Sequence, residues 1–165
     1  MATRASKTLL IFGIALFYSL VVLNNTTDYN SNLQFVRHTL TMDTTFPGNR
    51  GMWRAIHAPL VYLVFFLSIL TWEIVTAVLC WWGGLRLVRS LKSSAAAFNA
   101  AKRVAIVALT LGLLMWLVAF LSVGGEWFLM WQSAQWNGQA SATRMFTVMG
   151  IVLLYLAMPD VDGEA

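Results

Sequence analysis

Residues 58–82 read APLVYLVFFLSILTWEIVTAVLCWW, an apolar run holding one charged side chain, Glu73. A helix of roughly 20 residues crosses a hydrocarbon layer about 30 Å thick, so this run is long enough to span a bilayer. Inside lipid every backbone N–H and C=O must be paired within the structure, and a helix pairs them within one segment. Three more runs repeat the pattern: TLLIFGIALFYSLVVLN at 8–24, VAIVALTLGLLMWLVAFLSV at 104–123 and ASATRMFTVMGIVLLYLAM at 140–158. The expected fold is therefore all-α, a single integral-membrane four-helix bundle over residues 1–165. A soluble domain has about a quarter of its residues charged; here 11% are charged and 59% hydrophobic.

The ends of the runs carry the punctuation. Arg4 and Lys7 precede the first, which lacks a small-x-small cleavage pattern and reads as a retained helix rather than a signal peptide. Pro59 suits the first turn of the second, where its missing N–H has no partner to lose. Gly83-Gly84 is expected to end that span, with a loop over 83–103. The third span has room to continue past Gly124-Gly125 towards Trp136. In the fourth, Arg144 must snorkel to the interface, where it is expected to pair with Glu126 across the outer hairpin.

Basic residues orient the bundle. With four spans, Arg4, Lys7, Arg86, Arg89, Lys92, Lys102 and Arg103 share one side; Arg37, Arg50, Arg54 and Arg144 share the other. The positive-inside bias then predicts both termini in the cytoplasm and residues 25–57 outside. The net charge of +4 is spent at span ends and points away from nucleic acid. Trp53, Trp127, Trp131 and Trp136 on the outer side, with Trp81 and Trp82 on the inner, match an interfacial aromatic belt. Cys80 is the single cysteine, so no internal disulfide or CxxC pair exists.

The polar stretch DYNSNLQFVRHTLTMDTTFPGNRGMWRAIH, residues 28–57, asks for an explanation. Leu33, Val36 and Leu40 recur at helical spacing, predicting an outer-surface helix whose apolar face docks on the bundle mouth, with Ser31 or Asn32 as its cap. Asp28, Arg37, Asp43 and Arg54 are expected to hold this lid in shape through ion pairs and caps. Together with His38, Trp53 and His57 they also form a candidate surface for a partner. Two histidines could ligate a metal or an outer-side haem, but no HxxxH or HExxH spacing supports that, and no metal or cofactor is expected.

Glu73 is the sharpest feature. A carboxylate deep in a span is costly unless paired, protonated or wetted, and no Lys or Arg occurs at matching depth. Glu73 is expected to face the bundle interior, protonated or hydrogen-bonded, with Thr76 within helical reach. It reads either as a polar clasp between helices or as a proton-relay or ion-binding group, for which Thr71, Thr76, Thr110 and Ser122 offer a thin polar chain. No Ser/His/Asp set, phosphate loop or paired acids accompany it, so an enzyme is not expected.

The outer stretch, above all MDTTFP and WRAI, followed by an apolar span with Trp72-Glu73, resembles a family of small bacterial integral membrane proteins of unknown function. The resemblance implies four spans, a bacterial inner-membrane address and a signature role for residues 28–57. It implies no activity or ligand. The expected role is a non-enzymatic accessory or scaffold subunit, with the lipid bilayer and other membrane subunits as partners. The alternatives are a small proton-linked transporter using Glu73 and a haem-binding redox subunit using His38 and His57.

Overall fold

The second apolar run does not stop at Gly83-Gly84: one helix continues from Pro59 to Ser90. In the computed structural model, which describes residues 1–162, this is α3 of six α-helices, and no strand forms among the described residues. The others are α1 (Ala2–Thr27), α2 (Tyr29–Thr41), α4 (Ala95–Ala101), α5 (Arg103–Leu114) and α6 (Gln139–Ala157). The helix of α5 passes without a break into a wider, π-helical stretch, Met115–Trp127. There the bonds reach back five residues, as from Phe128 N to the Val123 carbonyl at 2.9 Å. Among the described residues four helices are long and apolar enough to cross a membrane: α1, α3, the continuous Ala95–Trp127 and α6. The protein is an all-α membrane bundle.

Why the glycines do not break α3 follows from what lies beside them. A Cβ on Gly83 would sit 2.8 Å from the backbone nitrogen of Ala105, and one on Gly84 2.7 Å from the Phe12 ring. Between lipid-immersed helices there is little hydrophobic drive, so close van der Waals contact through small residues does the holding. The partner face obliges: Ala101, Ala105, Ala108 and Gly112 are buried and three or four residues apart, forming one stripe. Gly124-Gly125 likewise lie inside a helical stretch, and Gly125 is crowded by the Gln139 side chain. Reading Gly83-Gly84 as a terminator holds for water-exposed helix ends but fails where backbones must touch, and the third span does continue past Gly124-Gly125, to Trp127.

Other boundaries shift for identifiable reasons. The first helix runs to Thr27, and α2 starts immediately after Asp28. Ser31 and Asn32 are thus inside α2 rather than capping it, and Asn32 bonds the Asp28 carbonyl through Nδ2 at 2.9 Å. The expected 83–103 loop shrinks to a turn at 91–94 followed by α4, which Ser94 caps by accepting from Ala97 N at 3.3 Å.

One core joins Ile11, Ala15 and Tyr18 of α1 to Ala77 and Cys80 of α3, Leu109 of α5 and Met149 of α6. A smaller one lies beneath α2: Val36, Leu40, Met42, Tyr62, Phe66 and Phe128. Leu9, Leu20, Leu60 and Leu154 point outward from the spans, as lipid-facing side chains should. At one end, Arg4 reaches Ser93 O at 2.6 Å and Asp162 at 3.2 Å, so residues near both ends of the described chain meet there. We call this the tail end; α2 covers the opposite, lid end.

Candidate ligand cavity

Beneath α2 lies a cavity of about 370 Å³. Its floor includes Asn25 of α1 and Glu73 of α3; Trp116 and Phe120 of the π-helical stretch form one wall, and Phe35, Val36 and Thr39 of α2 the roof. A π-helix needs more residues per turn and re-aims side chains, which is why such turns recur at functional sites. Among the described residues the lining carries one acid and no Lys, Arg or His.

Glu73 stands at the middle of α3 and is 2% exposed. Asn25 Nδ2 donates to its Oε2 at 2.6 Å. The other oxygen accepts no hydrogen bond from the described residues and is not sealed off, so it meets the cavity. No cationic side chain of the described residues lies within 4.0 Å of this carboxylate. Thr76, the expected neighbour, does not bond Glu73: its hydroxyl donates backward to the Trp72 carbonyl at 2.8 Å. Thr110 and Ser122 do the same within their own helices and are exposed, so the polar chain imagined across the core is not assembled. Below Glu73, Trp116 Nε1 donates to Tyr18 Oη at 3.0 Å, and Trp72 Nε1 to the Leu111 carbonyl at 3.0 Å. These bonds fix the aromatic side chains around the acid.

The lid is held at several points. Leu33, Val36 and Leu40 turn inward as their spacing predicts, Leu33 only partly buried. Ile56 N donates to the Leu40 carbonyl at 2.9 Å, and Tyr62 Oη to Ile56 O at 3.0 Å. The His38 ring stacks on Trp136 with centroids 4.6 Å apart and planes 10° from parallel, while its Nδ1 lies 2.8 Å from Asp43. His57 is exposed and takes no part in this stack. Among the described residues no group of three or more His, Cys, Asp or Glu converges as a metal site.

The remaining lid residues are placed less tightly. Arg37 donates to Gln34, Asp28 makes no side-chain cap, and Arg54 lies over the rings of Trp53 and Trp127. Glu126 and Arg144 do not pair. Both are exposed, and Arg54 reaches the Glu126 backbone carbonyl instead, at 3.4 Å. Two exposed charges gain too little from each other to fix a contact.

A second polar cluster, at the tail end, went unseen in the sequence. Asp160 Oδ2 accepts from Lys7 at 2.7 Å and from Lys102 at 2.5 Å, and all three side chains are almost fully buried. Both lysines also donate to the Met158 carbonyl, and Asn99 bonds the Asp160 backbone in both directions. Burial opposes the charge on Asp160, but hydrogen bonds from Lys102 and Lys7 outweigh it and hold the carboxyl below the usual range. Lys7 and Lys102 read as topogenic charges by position; the signal pointing to their second role is an acidic tail just after Pro159.

Residues 3–159 match the model of a family described as "Predicted small integral membrane protein (DUF2165)". No curated protein and no solved structure matches the chain.

Proposed function

The chain belongs to the DUF2165 family of small integral membrane proteins, and on that premise we propose that it is a proton-linked binding protein or carrier for a small molecule. The cavity under α2 is its site and Glu73 its proton-exchanging group. One observation carries this: a hollow of about 370 Å³ that includes a buried acid lacking a cationic partner. A pocket of this size, mostly apolar with a few convergent polar groups, is the usual form of a small-molecule site.

The accessory-subunit role suggested by small size and an aromatic rim requires no hollow interior, and a clasp through the single Asn25–Glu73 bond requires no space beside the second oxygen. The cavity therefore favours ligand binding over a scaffold. The haem alternative has less support, because His38 is engaged by Trp136 and Asp43 while His57 stands apart. The proposed address is a bacterial inner membrane with both termini cytoplasmic and the lid outside.

Access tests the reading. Ser141 lines the cavity at its exposed rim, and Thr27 is exposed at the lid end of α1. In a Cys80→Ala background, Ser141→Cys and Thr27→Cys should both react with a membrane-impermeant maleimide added to intact cells. Labelling of Thr27→Cys alone would mean a sealed void rather than a binding site.

A further inference from the structure

Resting on that reading of the cavity, we infer that its ligand is an organic cation, an amine or quaternary ammonium with an apolar body. The lining sets the sign of the charge. Among the described residues Glu73 is its only ionisable carboxylate, and no Lys, Arg or His lies on the wall. An anion would meet no compensating charge there, and a neutral molecule would offer the open oxygen at most a neutral hydrogen bond, weaker than the charge-assisted one a cation makes.

The same lining sets the kind of cation. Calcium and magnesium take about six or more oxygen ligands and zinc about four N, S or O ligands, and no group of three or more His, Cys, Asp or Glu converges among the described residues. Aromatic rings dominate instead: Phe35, Phe65, Phe66, Trp116, Phe120 and Phe128. Ring faces attract a diffuse cation by their quadrupole, most strongly where water is excluded. Trp116 and Phe120 already pack with centroids 4.9 Å apart, giving a continuous aromatic surface running from the floor towards the roof. Asn25 keeps Oε2 of Glu73, and Oε1 is left to face the positive group.

Charge balance follows simply. If Glu73 is protonated when empty, the entering cation displaces that proton to water, and one positive charge replaces another. The titratable side chains packed around this site are phenols and one thiol: Tyr18, which accepts from Trp116, Cys80 in the same core, Tyr29 on the Phe66 ring and Tyr62 in the cluster beneath α2. Phenols and thiols ordinarily stay neutral near pH 7. Asn25 of α1, Asn32 of α2 and Ser141 of α6 face the cavity as uncharged groups.

The test uses the full chain in mild detergent, in the Cys80→Ala, Ser141→Cys background, reading the rate of thiol alkylation. Three water-soluble probes of similar size are compared: benzyltrimethylammonium, benzyl alcohol and phenylacetate. The cation should slow alkylation at least ten-fold at saturation, and the other two should not. Glu73→Gln should weaken that protection at least ten-fold, and Glu73→Asp, which keeps the charge, should retain most of it even if Glu73→Gln folds poorly. Protection by the alcohol equal to that by the cation, or protection by none of the three on a reactive thiol, overturns the cation assignment while leaving an open cavity. A thiol that never reacts overturns the cavity reading itself.

Discussion

Asn25 Nδ2 donates a 2.6 Å hydrogen bond to Glu73 Oε2, tying the last turns of α1 to the middle of α3. Both groups leave water to form it, and interhelical bonds inside bilayers are worth roughly 0.6 to 2 kcal/mol. A double-mutant cycle with Asn25→Ala and Glu73→Ala, each of which removes one partner of the bond, should therefore give a coupling of about 1 kcal/mol, read from unfolding in mixed micelles. Strictly additive effects would mean that the pair is not made.

Gly83 and Gly13 separate packing from propensity. Alanine favours an α-helix over glycine by about 1 kcal/mol, so Gly13→Ala, which meets nothing within 4 Å, should be neutral or stabilising. Gly83→Ala gains the same propensity yet drives its methyl group into the Ala105 backbone. Overpacking of this kind costs about 1–3 kcal/mol. The melting temperature in detergent should rise or hold for the first and fall for the second.

Much of this architecture can be read in the sequence because lipid imposes simple rules. Run length marked the four spans, and the spacing of Val36 and Leu40 marked the face α2 turns inward. What stayed hidden depends on how helices meet. Nothing local in TLLIFGIALFYSLVVLNN says that Asn25 will stand opposite Glu73, since that follows from the register of α1 on α3. Gly83-Gly84 carry the residue pattern of a helix stop, and only the nearness of Ala105 and Phe12 shows otherwise. Lys7 and Lys102 sit where topology requires positive charge, which masked their partnership with Asp160. The π-helical stretch behind the cavity has no sequence signature beyond an apolar run ending in two glycines.

The lid should be loosened from one point. His38 is gripped between the Trp136 ring and the Asp43 carboxylate. An aromatic stack contributes about 0.5–1.5 kcal/mol, so Trp136→Ala should raise the local opening of α2 roughly five-fold. Hydrogen exchange across residues 29–41 should quicken by that factor while the middle of α3 stays unchanged. Uniform quickening through both helices would point to global unfolding and remove the lid from consideration as a separable unit.

Topology provides an independent check on the proposed orientation. Reporter fusions placed after residue 162 and within the 91–94 turn should both report the cytoplasm, and one inserted at Gly48 should report the outside. Gly48 is exposed in a turn at φ 77°, so an insertion there disturbs no helix. Reversal of all three would invert the side from which ligand enters without altering the cavity.

Asp160 is where charge and stability meet. Removing one partner of a buried ion pair leaves the other uncompensated, at a cost of about 3–5 kcal/mol, and here two lysines would be stranded. Asp160→Asn should therefore lower the melting temperature more than Asp162→Asn, whose carboxylate is largely exposed. The pH dependence has a definite sign. A carboxyl held low in the folded protein contributes stability above its unfolded pKa of about 3.9 and loses it as pH falls through the folded value. Thermal melts should show this contribution intact from pH 7 down to about 4 and falling below that, with Asp160→Asn lacking the acid-side loss. A wild-type acid limb that the substitution leaves unchanged would show that Asp160 is not the group whose protonation opens the tail end.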